Sequence, residues 1–249
     1  MKRAVEKLRP ANGFSRVVYW AMSMLLPVLA LVFVKWSILS LAYGVVLLSK
    51  WRILAIRPRH WPASIRANAI DIIAGLSFVA FMAQSPSGVW QIFWLVVYEV
   101  WLLAIKPRSK IFWISVQAAI GQFVGLVALY LLWGGSSLVV LVLSTAFICY
   151  LSARHFFSSF DEPLGPMLAH IWGYIAAAMT WVLGHWLLYY GFLSQPVLIL
   201  SVLSYGLASL YYLENLDRLS TGRRREIMFV MLVFIAVVVI FSSWGDKTV

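Results

Sequence analysis

Two acidic residues, Asp71 and Glu99, lie inside long apolar stretches of the chain. Asp71 follows Arg66 by five residues and Glu99 precedes Lys106 by seven. At about 1.5 Å per helical residue, each is expected about 8 to 10 Å inside the boundary of a membrane span. An ionisable side chain at the centre of a membrane helix costs about 2.5 to 3.5 kcal/mol and usually marks a functional pathway. The pair therefore predicts a site for a cation or a proton.

Other polar residues are expected at a similar depth in neighbouring spans. They are Gln117, Gln122, His170, Tyr174 and Glu214. If these side chains point inward with Asp71 and Glu99, they form a hydrated, cytoplasm-facing pocket with carboxylates and a histidine, which suits cation binding or proton relay. The alternative is that each forms a separate hydrogen bond between helices, worth about 0.6 kcal/mol on average in membranes.

Three consecutive arginines, Arg223, Arg224 and Arg225, precede the last apolar stretch. Guanidinium groups bind phosphate oxygens in pairs, so the run predicts contact with anionic lipid headgroups. A basic stop before a membrane span explains the same run. The segment 152–163, SARHFFSSFDEP, is interpreted either as a cytoplasmic gate or docking loop, or as a loop whose phenylalanines lie in the membrane interface.

Other site chemistries lack the residues that they need. His170 and His185 share one apolar stretch, but no second stretch carries a histidine, so haem held by pairs of histidines is not expected. The single cysteine, Cys149, provides neither a disulfide nor a metal cluster. The chain has no GxxxxGK[ST] phosphate loop, and no lysine inside the apolar stretches after residue 110 that could hold retinal. We predict no metal and no cofactor.

The elements that must position these residues follow from the composition. Of the 249 residues, 63% are hydrophobic and 12% are charged, against about 25% charged in a typical soluble domain. Continuously apolar segments favour helices, because membrane barrel strands alternate apolar and polar residues. We predict an all-α, polytopic membrane helical bundle of about nine transmembrane helices, at 17–34, 37–53, 67–83, 89–105, 111–133, 137–151, 164–190, 197–212 and 227–243.

The basic residues orient this predicted bundle. Eighteen of the 20 fall in the N-terminal tail or in alternate loops, and only Lys35 and Lys247 fall on the other set. Because basic loops stay in the cytoplasm, we expect the N-terminus there and the C-terminus outside. The same distribution accounts for the net charge of +11 without nucleic acid. We expect a basic cytoplasmic tail (1–16), one transmembrane domain (17–243) and a short extracytoplasmic tail (244–249), in the cytoplasmic (inner) cell membrane.

Two segments 50 residues apart resemble each other, ANAIDIIAGL at 67–76 and QAAIGQFVGL at 117–126. One interpretation is a duplicated helical unit, because many transporters contain repeats. The other is chance similarity between apolar helices.

Three functions fit these features. The first is a small transporter-like carrier for a solute or ion, with its site in the layer of Asp71, Glu99 and His170. The second is a non-catalytic membrane subunit or scaffold that packs against a membrane protein partner or organises lipids. The third is an intramembrane lipid-modifying enzyme, with Glu99 or His170 as base and the arginine run holding a headgroup. A carrier or an enzyme requires a cavity, whereas a scaffold predicts a solid bundle or a lipid-facing groove.

Overall fold

The computed structural model describes residues 13–53, 55–160, 162–242 and 244, with all of their side chains except those of 13–19 and 52. Within these ranges the secondary structure is almost entirely helical, and a two-residue hairpin supplies the strands. The prediction of an all-α fold is therefore confirmed.

Nine α-helices of ten residues or more occur in the described ranges, and each overlaps one of the predicted segments. They are α1 (Gly13–Lys35), α2 (Leu39–Leu48), α3 (Trp61–Gln84), α4 (Gly88–Val100), α5 (Ile111–Trp133), α6 (Leu138–Phe157), α7 (Gly165–Gly184), α8 (Gln195–Asn215) and α9 (Thr221–Ile240). A π-helical turn, Trp101–Ile105, continues α4.

Helices of the length and composition of membrane spans are present among the described residues. Six qualify: Pro58–Gln84, Gly88–Ile105, Ile111–Trp133, Leu138–Phe157, Gly165–Gly184 and Gln195–Asn215. They indicate a multi-pass membrane protein. By contrast, α2 has 10 residues, so its length of about 15 Å is half of a hydrocarbon layer of about 30 Å. The first turns of α9 contain the arginine run. The nine-span topology and its orientation therefore stay predictions.

The chain between α7 and α8 is not helical, although the sequence predicts a helix over 164–190. The strands β1 (Tyr189–Tyr190) and β2 (Leu193–Ser194) pair there as an antiparallel hairpin. Gly191 stands at the turn with φ +66, a conformation that glycine adopts without steric cost. Average hydropathy missed the hairpin because its residues are as apolar as those of the helix before it.

This hairpin is attached to the end of α9 through Ser242. The Tyr190 hydroxyl donates to the Val238 carbonyl oxygen at 2.9 Å and lies 2.7 Å from the Ser242 hydroxyl. Gln195, at the start of α8 and fully buried, donates from Nε2 to the same hydroxyl at 2.8 Å. Buried polar groups in an apolar setting need such partners. The hairpin, α8 and α9 are thus tied together at this end.

The described residues form two compact units. The first is drawn from Met1–Arg57 and Phe78–Arg108. Here α1 packs against α2 and α4. Aromatic rings join the last part of α3 to α4: the Phe78 and Tyr98 centroids are 5.3 Å apart, and those of Phe81 and Trp94 are 4.6 Å apart.

The second unit consists of Pro58–Ser77 and Ser109–Val249 and contains α5 to α9. The helices α5, α6 and α7 pack in sequence, while α8 contacts α5 and α9 closely and α7 less closely. The Tyr130 hydroxyl lies 3.3 Å from the Thr145 hydroxyl and 3.4 Å from that of Thr180, so it links α5, α6 and α7. The limited contact between α7 and α8 leaves space between them.

Two glycines allow the first part of α3 to approach α5. A Cβ atom on Gly121 would lie 2.6 Å from Cγ2 of Ile70, and one on Gly125 would lie 2.6 Å from Cγ2 of Ile73. Spaced four residues apart, these glycines form the GxxxG pattern of close helix pairs in membranes. The helices that meet here carry the two similar sequence segments, 67–76 and 117–126.

Candidate functional site

The second unit contains a cavity of about 670 Å³ among α5, α6, α7 and α8, with Ile227 of α9 at one edge. This volume lies in the range of small-molecule sites, about 300 to 1,000 Å³. The lining comes from the first half of α5, the end of α6, the first half of α7 and the second half of α8. It therefore lies toward the basic ends of these helices, the side that the charge distribution predicts to be cytoplasmic.

Gln122 forms the polar floor of the cavity and is only 2% exposed. Its Oε1 accepts hydrogen bonds from Trp172 Nε1 and Ser204 Oγ, both at 3.1 Å. Its Nε2 donates to the Leu200 carbonyl oxygen at 3.5 Å, the outer limit for such a bond. A buried carboxamide needs partners from several helices. Here α5, α7 and α8 all contribute to holding it in place.

Aromatic side chains form the wall at the end of α8. The ring of Tyr211 packs edge-to-face against Phe156, Phe157 and Phe160, with centroids 5.9, 5.2 and 5.1 Å away. Its hydroxyl donates to Glu162 Oε2 at 2.8 Å. The same carboxylate accepts from the backbone N–H of Leu164 through Oε1, at 3.1 Å. This wall is therefore fixed to the loop before α7.

The cavity has exposed lining residues on three helices. They are Phe112 at the start of α5, Ile171 and Ile175 on α7, and Tyr205 and Leu207 on α8. Tyr205 is the most exposed, at 70%. Since the residues on α7 and α8 lie mid-helix and are largely apolar, the opening between them is suited to entry from the hydrocarbon of a membrane.

All lining residues that the structure describes are uncharged. The polar groups among them are the Gln122 carboxamide, the Trp172 indole and several hydroxyls. Ser115 and Ser152 donate their protons to the Ile111 and Ile148 carbonyl oxygens of their own helices. An enzyme needs an acid, base or nucleophile within reach of its substrate. This lining is instead suited to holding a mostly apolar molecule.

Within the second unit, the residues of the predicted polar layer form separate groups, and Gln122 is the one that lines this cavity. Gln117 is buried, and its Oε1 lies 3.1 Å from His155 Nε2. Asp71 interacts electrostatically with the same imidazole. Asp71, Gln117 and His155 therefore form a polar cluster between α3, α5 and α6. Glu99 lies on α4, half-buried, in the first unit.

The other members of the predicted layer lie at the surface of the second unit. His170 is exposed, stacks on Tyr150 at 4.6 Å and bonds to the Pro166 carbonyl oxygen through Nδ1 at 2.7 Å. Tyr174, one turn later, is 75% exposed. Glu214 is exposed and pairs with Arg224 at 3.6 Å. None of the three is among the lining residues.

Sequence reasoning missed three residues of these sites, His155, Trp172 and Ser204. It assigned His155 to a loop, whereas α6 continues to Phe157 and places this residue in its last turn. A basic residue is stabilised at a helix C-terminus, and that signal could have extended the helix. Trp172 and Ser204 carry no signal of their own, because only the packing of α7 and α8 brings them to Gln122.

The arginine run lies in the exposed first turns of α9. Ser220 caps this helix by accepting from the Arg223 backbone N–H at 3.3 Å. Positive charge at a helix N-terminus opposes the helix dipole. The run is therefore not explained by helix stability, and contact with anionic headgroups stays a prediction.

Within the described parts of the chain, no three His, Cys, Asp or Glu side chains group closely enough to hold a metal ion. No known protein family, curated protein or solved structure matches this chain.

Proposed function

We propose that the protein is a small multi-pass membrane carrier that binds a lipid-soluble molecule in the cavity of its second unit. The observation that carries the proposal is a space of about 670 Å³ that is uncharged throughout its described lining and opens between apolar rim residues. A molecule dissolved in the bilayer could enter sideways and leave its tail partly in lipid. The arginine run at the start of α9 would hold anionic headgroups at the cytoplasmic face.

This proposal changes the substrate class expected from the sequence. A cation or proton site needs carboxylates or a histidine in the cavity, and the lining offers none among its described residues. The same lack of an acid or base disfavours the enzyme alternative. The cavity also favours a carrier over a scaffold, because a scaffold needs no such space between its helices.

Filling the cavity tests the proposal. Ala119 lines it and is half-buried, so Ala119→Phe places a ring in the binding space. Ala178 is exposed on α7 and does not line the cavity, so Ala178→Phe is the matched control. Each purified protein is reconstituted in phosphatidylcholine nanodiscs with a diazirine-labelled hydrocarbon, and the labelled peptides are identified by mass spectrometry after illumination.

The native protein and Ala178→Phe should be labelled at lining peptides of α5 and α8. Labelling of these peptides in Ala119→Phe should be about tenfold lower than in the native protein, which corresponds to a loss of about 1.4 kcal/mol of binding free energy. In vesicles, the same variant should slow the transbilayer movement of a fluorescent lipid. Equal labelling and equal movement in all three proteins would remove the carrier proposal.

A further inference from the structure

The hydrogen-bonding capacity of Gln122 is not fully used. Its Oε1 has two lone pairs, which the Trp172 and Ser204 donors occupy. Its Nε2 has two hydrogens, and one of them points to the Leu200 carbonyl oxygen at 3.5 Å. The second hydrogen has no partner among the described residues. Because the residue is 98% buried on a cavity wall, this donor is available to a molecule inside the cavity.

Three other polar groups of the lining already have acceptors for their protons. The Trp172 N–H and the Ser204 hydroxyl proton are both directed to Gln122 itself. The Ser152 proton is directed to a backbone carbonyl of α6. A ligand group at this depth therefore meets one amide donor, which calls for an acceptor such as a carbonyl oxygen.

The lining also restricts the charge that a ligand can carry inside the cavity. A charged group buried without a partner is very costly, and the described lining provides no opposite charge. The exposed apolar rim, which includes Ile175 and Leu207, suits a hydrocarbon tail that extends into the bilayer.

We propose that the cavity selects an uncharged lipid that carries a carbonyl group beside its apolar tail, and that Gln122 donates the hydrogen bond that selects it. This inference rests on the proposed carrier function and adds the substrate class. The carbonyl chemistry is shared by the acyl esters of a diacylglycerol and by a prenylated quinone. Separate arms of the experiment distinguish these two sources.

The experiment measures how well each lipid competes with the diazirine hydrocarbon for labelling of the native protein in nanodiscs. The competitors are dioleoylglycerol, its dialkyl ether analogue without carbonyls, a short-chain ubiquinone and phosphatidic acid. Dioleoylglycerol should compete about tenfold better than its ether analogue, the effect of about 1.4 kcal/mol from one hydrogen bond. Ubiquinone competing better than dioleoylglycerol identifies a quinone as the ligand, and the reverse order identifies an acylglycerol.

Two variants assign the preference to Gln122. Gln122→Leu removes the amide donor and should reduce the ester-to-ether preference to about one. Ser204→Ala removes a bond to Oε1 but leaves the Nε2 donor, so the preference should remain even if the protein is less stable. Size-exclusion profiles and thermal unfolding verify the fold of each. If Gln122→Leu does not fold, Gln122→Met, which keeps the length of the side chain, takes its place.

Each outcome bears on one proposal. Equal competition by ester and ether lipids in the native protein overturns the carbonyl inference. Phosphatidic acid that competes as well as dioleoylglycerol overturns the selection for an uncharged lipid. A preference that survives loss of the Gln122 amide overturns the role of this residue. In all of these cases Ala119→Phe still blocks labelling and the carrier proposal stands. If Ala119→Phe leaves labelling unchanged, the carrier proposal itself fails.

Discussion

The Tyr211 hydroxyl donates a hydrogen bond to Glu162 at 2.8 Å and thereby connects the cavity wall on α8 to the loop that precedes α7. Both ends of this connection have further contacts. Tyr211 packs against three phenylalanine rings, and Glu162 also receives the Leu164 backbone N–H. This single side-chain bond therefore helps to set the separation of α7 and α8, and so the width of the cavity.

Removing this bond should destabilise the second unit without removing the aromatic packing. Tyr211→Phe keeps the ring but leaves the carboxylate with one fewer donor, at a cost of about 1.5 to 3 kcal/mol for a hydrogen bond to a charged group. We expect a lower midpoint of thermal unfolding in detergent. Tyr205→Phe is the matched control, because the Tyr205 ring is 70% exposed. Equal midpoints for the two variants would contradict the role assigned to the bond.

Side chains at the two close-approach glycines should separate α3 from α5. Gly121→Val and Gly125→Val would place methyl groups against Ile70 and Ile73, and overpacking of this kind costs about 1 to 3 kcal/mol. Gly44→Ala is the control, since a Cβ there meets nothing within 4 Å. The measurement is the midpoint of unfolding, with tryptophan fluorescence as the signal. If the valine variants are as stable as native protein, the close contact of these helices is wrong.

The Asp71, Gln117 and His155 cluster should matter for stability and not for ligand binding. Gln117→Leu removes the acceptor 3.1 Å from the Nε2 atom of the half-buried His155, at a cost of about 1 kcal/mol, the net contribution of a typical hydrogen bond. Folded protein should still be labelled by the diazirine hydrocarbon at the native level. Gln84→Leu, which makes the same change at an exposed carboxamide, should change neither property. Loss of labelling in folded Gln117→Leu would show that the cluster belongs to the ligand site.

The arginine run should attract anionic lipid. Replacing Arg223, Arg224 and Arg225 together by glutamine removes about 1 kcal/mol of attraction per residue near a negatively charged surface. We expect less enrichment of spin-labelled phosphatidylglycerol around the protein, and the native enrichment should fall as salt rises. Lys35→Gln, on the predicted opposite face, should have no such effect. Unchanged enrichment in the triple variant would favour a purely topological role.

Single cysteines can test the predicted orientation after Cys149 is replaced by serine. Arg57→Cys and Ser220→Cys should react with an impermeant maleimide from the same side of sealed vesicles, because both positions lie in basic loops. Ser87→Cys and Ser137→Cys should react from the opposite side. Labelling of Arg57→Cys and Ser220→Cys from different sides would show that the segments between them cross an odd number of times, contrary to the prediction.

Apolar segments predicted the helices well because burial in hydrocarbon requires every backbone group to be bonded within its own segment. Hydropathy does not say which side of a helix meets a neighbour, so it cannot tell which residues of one depth face each other. Gln117 and Gln122 are five residues apart, so at about 100° per residue they point about 140° apart on α5. One reaches His155 and the other reaches the cavity. Helical angle, read together with depth, could have separated them.

On α7, too, the angle around the helix decides which residues share a face. His170 and Tyr174 are four residues apart and therefore share a face, and both are exposed. Trp172 lies on another face and reaches Gln122. The partners of Gln122 could not be predicted, because Trp172 and Ser204 follow it by 50 and 82 residues and lie on other helices.

The attachment of the hairpin to Ser242 restricts how the cavity can widen. Tyr190, Gln195 and Ser242 join the hairpin, α8 and α9 at the end of the helices away from the cavity. Helices fastened at one end can swing apart only at the other. A ligand too wide for the resting opening would therefore have to move the end of α8 near Tyr211 away from α7, while the start of α8 stays fixed.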